Sequence, residues 1–553
     1  MYIKYVKAVF FDPFSYNTQV KIQYTFILLL LLANCSNNES PVDAGHRDQV
    51  FHFGNGTEPQ GIDPHIVTGV PENHLLTALC EGLTINNPKG GPNLPGAAKS
   101  WEISQDGKTY IFNIHEDASW SNGEPVTAED FVWSWQRILT ASLGSQYPDM
   151  LYYVKNAKEF HQGEINDFNQ VGVKAISDKT LAVELHSPTA FFIKLLSHYS
   201  TYPVHKDTVL AYGSIDDRNG EWTRPGNFVC NGPFNLKSWE LNKKIVVEKS
   251  STYWDASKVR LNEIHFYPVS NESTEDRMFR AGQLHVTNVV PLEKCPVYLE
   301  QNNPNLRIDP YMGTYFYRIN TTNEVLKDVN VRKALAYAIN RTQIVEKVSK
   351  CGQKPAYSFT PPGSADYYPD TEVPFDPVLA KTLLTKAGYP NGEGFPKIEI
   401  LFNTQEGHRK IALAIQQMWQ QNLGINVELV NQDWKVYLAR EMVGDFQVSR
   451  AGWIGDYEDP NTFLDTLRPN RGNNKTGWEN SEYDRLIELA NSINNQEERY
   501  KVFMEAERLL IDEMPIIPIY TYVRQYQLSQ DVKGWHPNIL DVHHPKFVYL
   551  QRD

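Results

Sequence analysis

The chain has 553 residues, 41% of them hydrophobic and 22% charged, with a formal net charge of −13 and an isoelectric point near 5.7. That length exceeds what one hydrophobic core supports and implies two to four domains, while the ordinary apolar content excludes a disordered tail and a multispan membrane protein. The acidic balance, without any block of Lys and Arg, argues against nucleic acid as a partner.

At the N-terminus Lys21 precedes Ile22–Thr25 and the apolar run Phe26–Ala33. The run has the length of a signal-peptide core and is too short for a membrane span, so export is expected. Ala33-Asn34-Cys35 and the polar Ser36–Ser40 resemble a lipoprotein cleavage box, in which Cys35 would be lipidated; Asn34 stands where such boxes usually carry Gly, Ala or Ser. The alternative is an ordinary cysteine in a discarded leader. Residues 1–20 fit no part of a signal peptide and are read with it as an extension, 1–35 in all.

From about residue 47 short β-rich runs mix with amphipathic helices, the pattern of an α/β or α+β protein. Thr109–Ile114 alternates as a strand, Ser121–Pro125 reads as a turn, and Thr127 is the expected N-cap of a helix through Phe131, Trp135 and Ile138. Asp328–Leu335 starts another helix with Val331, Leu335 and Ile339 on one face. Pro377–Gly388 is a helix closed by its glycine, and a helix from Ile411 to Leu423 leads into a strand at Ile425–Val430.

Beyond Cys35 the cysteines are Cys80, Cys230, Cys295 and Cys351, whose spacings match neither a zinc site nor a redox CxxC. One or two disulfides are expected, unassigned. The chain lacks GxSxG, HExxH and GxGxxG, and Gly91–Gly96 lacks the GK[ST] of a phosphate loop. His543-His544 has no third ligand nearby in sequence for a metal, and Glu458-Asp459 beside Pro460 reads as a turn. No enzyme and no cofactor is expected.

Five segments then carry a family resemblance: Ile62–His65, Trp120–Trp135, Asn231–Phe234, Asp328–Leu335 and Arg450–Tyr457. In that order, over residues 47–550, they resemble the periplasmic oligopeptide-binding proteins of ABC importers, within extended solute-binding protein family 5. The resemblance implies an α/β fold of the type II periplasmic-binding class, with two lobes on a hinge and three interleaved domains with mixed sheets. Domain I would hold 46–80, 206–312 and 524–553, domain II 81–205, and domain III 313–523. The implied partners are short peptides and an inner-membrane ABC permease with its ATPases, for a monomeric receptor.

Around Arg450-Ala-Gly-Trp-Ile-Gly-Asp456 two readings stay open. Strand alternation from Phe446 puts Arg450 on the face of Phe446 and Val448, where a guanidinium needs an anion, and Asp456 is a candidate for an internal ion pair. The resemblance implies instead that Asp456 receives a peptide's α-ammonium while Arg450 lies toward its carboxylate. It further implies His408 near ligand carboxylates, with Asn403 in the same strand-and-loop segment. Arg440, Trp434, Trp453, Tyr147 and Tyr522 would line the cleft, and Val70, Gly452 and Ile454 would offer backbone groups. Three positions depart from the pattern: Thr68 and Arg318 stand where relatives have acidic residues and Ser349 where they have lysine. Arg318 has Glu458 or a ligand carboxylate as candidate partner. Gly313 and Ile454 stand where some relatives carry a cysteine pair. Within the same fold a murein peptide, haem or a metal chelate is the alternative ligand, and a secreted peptidase is the rival from another class.

Overall fold

A computed structural model describes residues 39–469 and 471–552. Cys35 and the expected signal peptide lie outside the described residues, and among those described no helix is long and apolar enough to cross a membrane.

Local chemistry sets the elements where it is strong. Thr109–Ile114 is a strand alternating between half-buried and buried residues. Helix Ala128–Leu139 opens on Thr127, whose hydroxyl accepts the Asp130 N–H while the Asp130 carboxylate accepts the Thr127 N–H at 2.7 Å. The exchange satisfies two donors that a helix start leaves free. Asp328 caps Val329–Tyr337, and Asp376 caps Pro377–Lys386, with Gly388 at φ +97° beyond its end. Two expectations shift. The helix expected from Ile411 begins at Glu406, because its polar first turn adds no apolar periodicity, and the strand expected at Ile425–Val430 is Val427–Gln432.

Three larger sheets form the frame. One mixed sheet runs in the order Val50–Gly54, Glu263–Tyr267, Lys244–Lys249, Phe234–Glu240. An antiparallel sheet takes Ala98–Ile103, Thr109–Ile114, Thr180–Glu184 and Val173–Ser177. A six-stranded mixed sheet takes Lys354–Pro355, Ile516–Gln527, Leu306–Ile319, Val448–Ile454, Ile398–Asn403 and Val427–Gln432. The second is inserted in sequence between strands of the first, which is what interleaving means here.

Two long strands join the lobes. Leu306–Ile319 pairs antiparallel with Ile516–Gln527; the register holds from Leu306↔Gln527 to Pro310↔Val523, breaks, and resumes at Thr314↔Thr521. The end of the second strand stays with the first unit, accepting from Thr287 N–H and Val290 N–H at 3.0 and 3.2 Å. A register break bends a strand locally, and the expected boundaries at 312/313 and 523/524 lie within this strand pair.

Phe51, Leu75, Phe112 and Trp135 belong to one apolar cluster that continues across the cleft into Trp453, Phe463 and Phe503, and Ile339, Ile400, Ile415 and Trp419 to another on the six-stranded sheet. The cysteines pair as Cys80–Cys230 and Cys295–Cys351. His543 hydrogen-bonds Asp541 at 2.9 Å and stacks on Trp535 at 3.8 Å. Among the described residues no three metal-ligating side chains cluster.

Candidate functional site

The strand Val448–Ile454 organises the cleft between the lobes. One edge pairs with Leu306–Ile319 along the strand's length, from Val448↔Ile319 to Ile454↔Gly313. The other edge meets Ile398–Asn403 only at Val448↔Ile400 and Ser449↔Leu401. From Arg450 onward that edge is open. Alternate residues of a strand turn their backbone groups to opposite edges. Gly455 N–H reaches Met312 C=O at 2.8 Å on the paired side, while Arg450 C=O accepts the Tyr437 hydroxyl. Gly452 and Ile454 therefore share Arg450's phase and direct their N–H and C=O groups to the open edge. Residue 452 must be small: a Cβ there would lie 2.5 Å from the Tyr522 hydroxyl and 3.3 Å from Arg450 Nη2. Gly313, opposite Ile454, is equally confined, since a Cβ would meet Ile454 Cδ1 at 2.4 Å.

Arg450 shares a face with Val448 and, across the pair, with Tyr317. Phe446 does not: the chain turns through Phe446 N–H→Gly444 C=O before the strand begins, and Phe446 packs with Leu401 and Tyr437 on the other side. The Arg450 guanidinium rests over the Tyr315 ring at 4.7 Å, donates to the Tyr522 hydroxyl at 2.7 Å and to Asn403 Oδ1 at 3.3 Å, and leaves a buried Nε without a partner. The internal ion pair with Asp456 is not formed. Among the described residues Arg450 has only neutral partners, although an arginine keeps its charge at any physiological pH.

Asp456 lies beyond the strand's end, its N–H donating to Thr462 Oγ1 at 2.9 Å. Its carboxylate is 12% exposed and meets His198 Nε2 of the opposite lobe at 3.3 Å. His198 Nδ1 is held in its own loop by the Ser200 hydroxyl at 2.8 Å and the Ser200 N–H at 3.3 Å, which turns Nε2 to the carboxylate. Burial, and after it the Asp456 charge, pushes the Tyr147 and Tyr199 phenols well up, so both remain neutral donors beside the carboxylate.

The two poles open on one cavity of about 380 Å³, within the range of small-ligand sites. Asp456, Arg450, His408, Trp453, Trp434, Tyr147, Tyr522, Asn403, Val70, Gly452 and Ile454 all line it. Arg440 does not: its guanidinium is tied to Glu399 at 2.7 Å and Asp445 at 2.8 Å. On helix Trp434–Met442 the cleft face is Trp434, Tyr437, Leu438 and Glu441, and Arg440 is out of phase with it. His408 is in the first turn of Glu406–Leu423 rather than in a loop with Asn403, which ends the strand Ile398–Asn403. Burial, then the Arg450 charge, lowers its imidazole well below the ordinary range, so His408 is neutral. Thr68 lines the cavity, whereas Ser349 is buried within Ile344–Ser349. Arg318 pairs with Glu441 at 2.7 Å, not with Glu458, which meets Lys194 at 3.5 Å.

Sequence reasoning missed His198, Lys475, Glu272 and Glu275, which also line the cavity. Burial raises Glu272 to about 7, helped by Glu406, and raises Glu275 to about 8. Their neighbours come from distant segments, so no local pattern marked them.

Residues 94–475 match the family described as bacterial extracellular solute-binding proteins, family 5, middle region. The chain belongs to that family. The periplasmic oligopeptide-binding protein OppA of Salmonella typhimurium is 36% identical over 526 residues, covering 92% of this chain and 93% of that protein. The structure of Haemophilus influenzae OppA in complex with RPPGFSPFR matches at TM-score 0.87 and 33% identity, over 91% of this chain and 99% of that one. The Escherichia coli murein tripeptide binding protein MppA matches at TM-score 0.86 and 34% identity with the same coverage, whereas an unliganded open form of MppA reaches only 0.61 at 35% identity, over 91% and 97%. The two-lobed type II periplasmic-binding fold is shared with these proteins, and this solute-binding protein has its lobes closed. Contacts across the closed cleft include Asn461 Nδ2→Tyr153 hydroxyl at 2.7 Å, Phe191 stacked on Tyr457 at 5.0 Å, and Lys194 Nζ→Glu458 C=O at 3.2 Å.

Proposed function

We propose that this solute-binding protein captures short peptides in extended form outside the inner membrane and hands them to an ABC permease. The observation that carries the reading is an open strand edge, at Gly452 and Ile454, running between a cation without an anion and a carboxylate without a cation. A peptide laid along that edge satisfies its own backbone groups by strand addition, sends its ammonium to Asp456 and turns its carboxylate toward Arg450. Because all peptides share those groups, side chains need contribute little to affinity. The four residue steps from Arg450 to Ile454 span roughly 13 Å at about 3.3 Å per residue, which suits ligands of about three to five residues.

Periplasmic location agrees with that of the relatives, and the finer address is part of the proposal: export by the N-terminal segment and an anchor on Cys35. Palmitate labelling of cells, with Cys35→Ser as control, tests the anchor; an unlabelled protein rejects it. For the ligand itself, native mass spectrometry of protein purified without refolding is decisive. Masses of linear peptides of about three to five residues are expected, and haem, a metal chelate or only murein tripeptide would reject the general peptide reading. Peptides incubated with the protein are expected to remain uncleaved.

A further inference from the structure

Residues opposite one another in an antiparallel pair project to the same face. Arg318 is opposite Ser449, one position out of phase with Tyr317↔Arg450. The cleft therefore has a second face, on the side of helix Trp434–Met442, that Arg450 does not serve. There Arg318 Nη1 donates to Glu441 Oε2 at 2.7 Å, and Glu441 Oε1 accepts the Ser449 hydroxyl at 2.7 Å. That pair is neutral in sum, and each Glu441 oxygen already has a donor.

Lys475 is beside it and is not matched in this way. Its ammonium donates to Gln146 Oε1 and to Gly472 C=O, both uncharged, and it forms no ion pair among the described residues. Arg318, Glu441, Lys475, Gln146, Asn473 and Tyr147 all line the cavity. The pocket they make carries one net positive charge. An ammonium has three N–H donors; two are engaged, and the third is left for whatever enters. Asp149 acts on Lys475 only through space, and its own carboxyl is pushed up to about 6 by burial, against the opposing Arg471 charge. Burial, then Arg318, lowers the Lys475 ammonium to about 8, against the through-space pull of Glu441 and Asp149. Lys475 still holds its proton at neutral pH.

We propose that this pocket is a specificity pocket for an acidic side chain, so that peptides carrying Asp or Glu at one position bind in preference to their amide counterparts. The inference deepens the peptide-binding reading above and rests on it. Side chains of an extended ligand alternate between faces, so the preference belongs only to residues turned toward Arg318 and Lys475. The opposite face holds neutral His408, the buried Glu272 and Arg450, whose charge the reading above assigns to the ligand's terminal carboxylate.

Calorimetry on ligand-free protein tests this with trialanine and with its single Glu and single Gln substitutions at each position. One position is expected to favour Glu over Gln by about tenfold or more, the lower end of what a charge-assisted hydrogen bond contributes. Lys475→Met should abolish the preference and Lys475→Arg should keep it. If trialanine binds and Glu equals Gln at every position, the acidic pocket is rejected while the peptide reading stands. Binding by none of these tripeptides rejects both, and a Glu preference that survives in Lys475→Met overturns the assignment to Lys475.

Discussion

Replacing Asp456 by Asn retains the side chain's size and removes one charge at one pole of the cleft. The carboxylate is nearly buried and its close polar neighbour is His198, whose Nε2 is turned to it by the Ser200 contacts at Nδ1. The negative charge lines the cavity and is available to a ligand ammonium. At about 4 Å and an effective dielectric near 20, the pair is worth about 4 kcal/mol, and removing one member of a buried pair costs about 3–5 kcal/mol because the other is stranded. With solvent reaching part of the carboxylate the lower figure applies, about 3 kcal/mol or a little over a hundredfold. The assay is a calorimetric cycle of two proteins, wild type and Asp456→Asn, against trialanine and N-acetyl-trialanine. Acetylation should cost the wild type about a hundredfold and cost the variant almost nothing. Equal penalties for acetylation in both proteins would refute the assignment of Asp456 to the ammonium.

Further expectations follow from particular contacts. Arg499, on the helix Gln496–Glu513, grips Asp459 of the loop that carries Asp456 through two hydrogen bonds of 2.7 Å, with both side chains buried. Arg499→Met should destabilise the fold by about 3–5 kcal/mol in urea titrations, and Arg499→Met with Asp459→Leu should recover most of it; an unaffected single variant would contradict this. Gly452→Ala should destabilise the fold by about 1–3 kcal/mol in urea titrations through overpacking against Tyr522 and weaken peptide binding as well, and tight binding by the variant would count against the open edge. Glu272 is held near 7 in the folded protein, chiefly by burial and then by Glu406, against 4.5 for an ordinary glutamate. Its raised pKa favours the folded state below about pH 4.5, and that advantage is lost as pH rises through about 7, at up to about 1.4 kcal/mol per pH unit. Glu272→Gln should therefore raise the melting temperature at pH 8 and not at pH 4.5; the same gain at both pH values would exclude the ionisation as its cause.

What could be read in the sequence was what neighbours in the chain decide. Thr127 as an N-cap, a helix starting at Asp328, and the alternation of Thr109–Ile114 are set within a few residues, and the structure has each of them. The family resemblance supplied the long-range frame. It did not supply partners that changed together: with Arg318 where relatives have an acid, its counter-ion Glu441 was not identified, and Glu458 was considered instead. Arg440 was decidable from helical phase, since Trp434, Leu438 and Glu441 mark a face that excludes it. His198 against Asp456 and Gln146 against Lys475 were not, because each contact exists only when the lobes meet.

That last point bears on how closure is driven. The contacts named across the cleft are one neutral hydrogen bond, one aromatic stack, the partly exposed Lys194–Glu458 ion pair and the hydrogen bonds of His198 to Asp456 and of Lys475 to Gln146, each worth about 0.5–3 kcal/mol net. Arg318, Arg499 and Arg524, by contrast, have carboxylate partners within the same lobe or beside the strands that join the lobes and are satisfied whether the lobes are open or closed. Arg450 and Asp456 are the groups whose full charge is left over, and Lys475 is the third. A ligand shifts an open–closed equilibrium only by binding the closed state more tightly, so the free energy for closure has to come from ions that the closed protein itself leaves unmatched. A zwitterion of the right length matches the first two at once, whereas an N-acetylated or amidated peptide matches one. Both blocked ligands should therefore bind with the cleft less fully closed, which small-angle scattering reads as a larger radius of gyration than with the free peptide; equal compaction by all three would mean that the backbone edge alone closes the lobes.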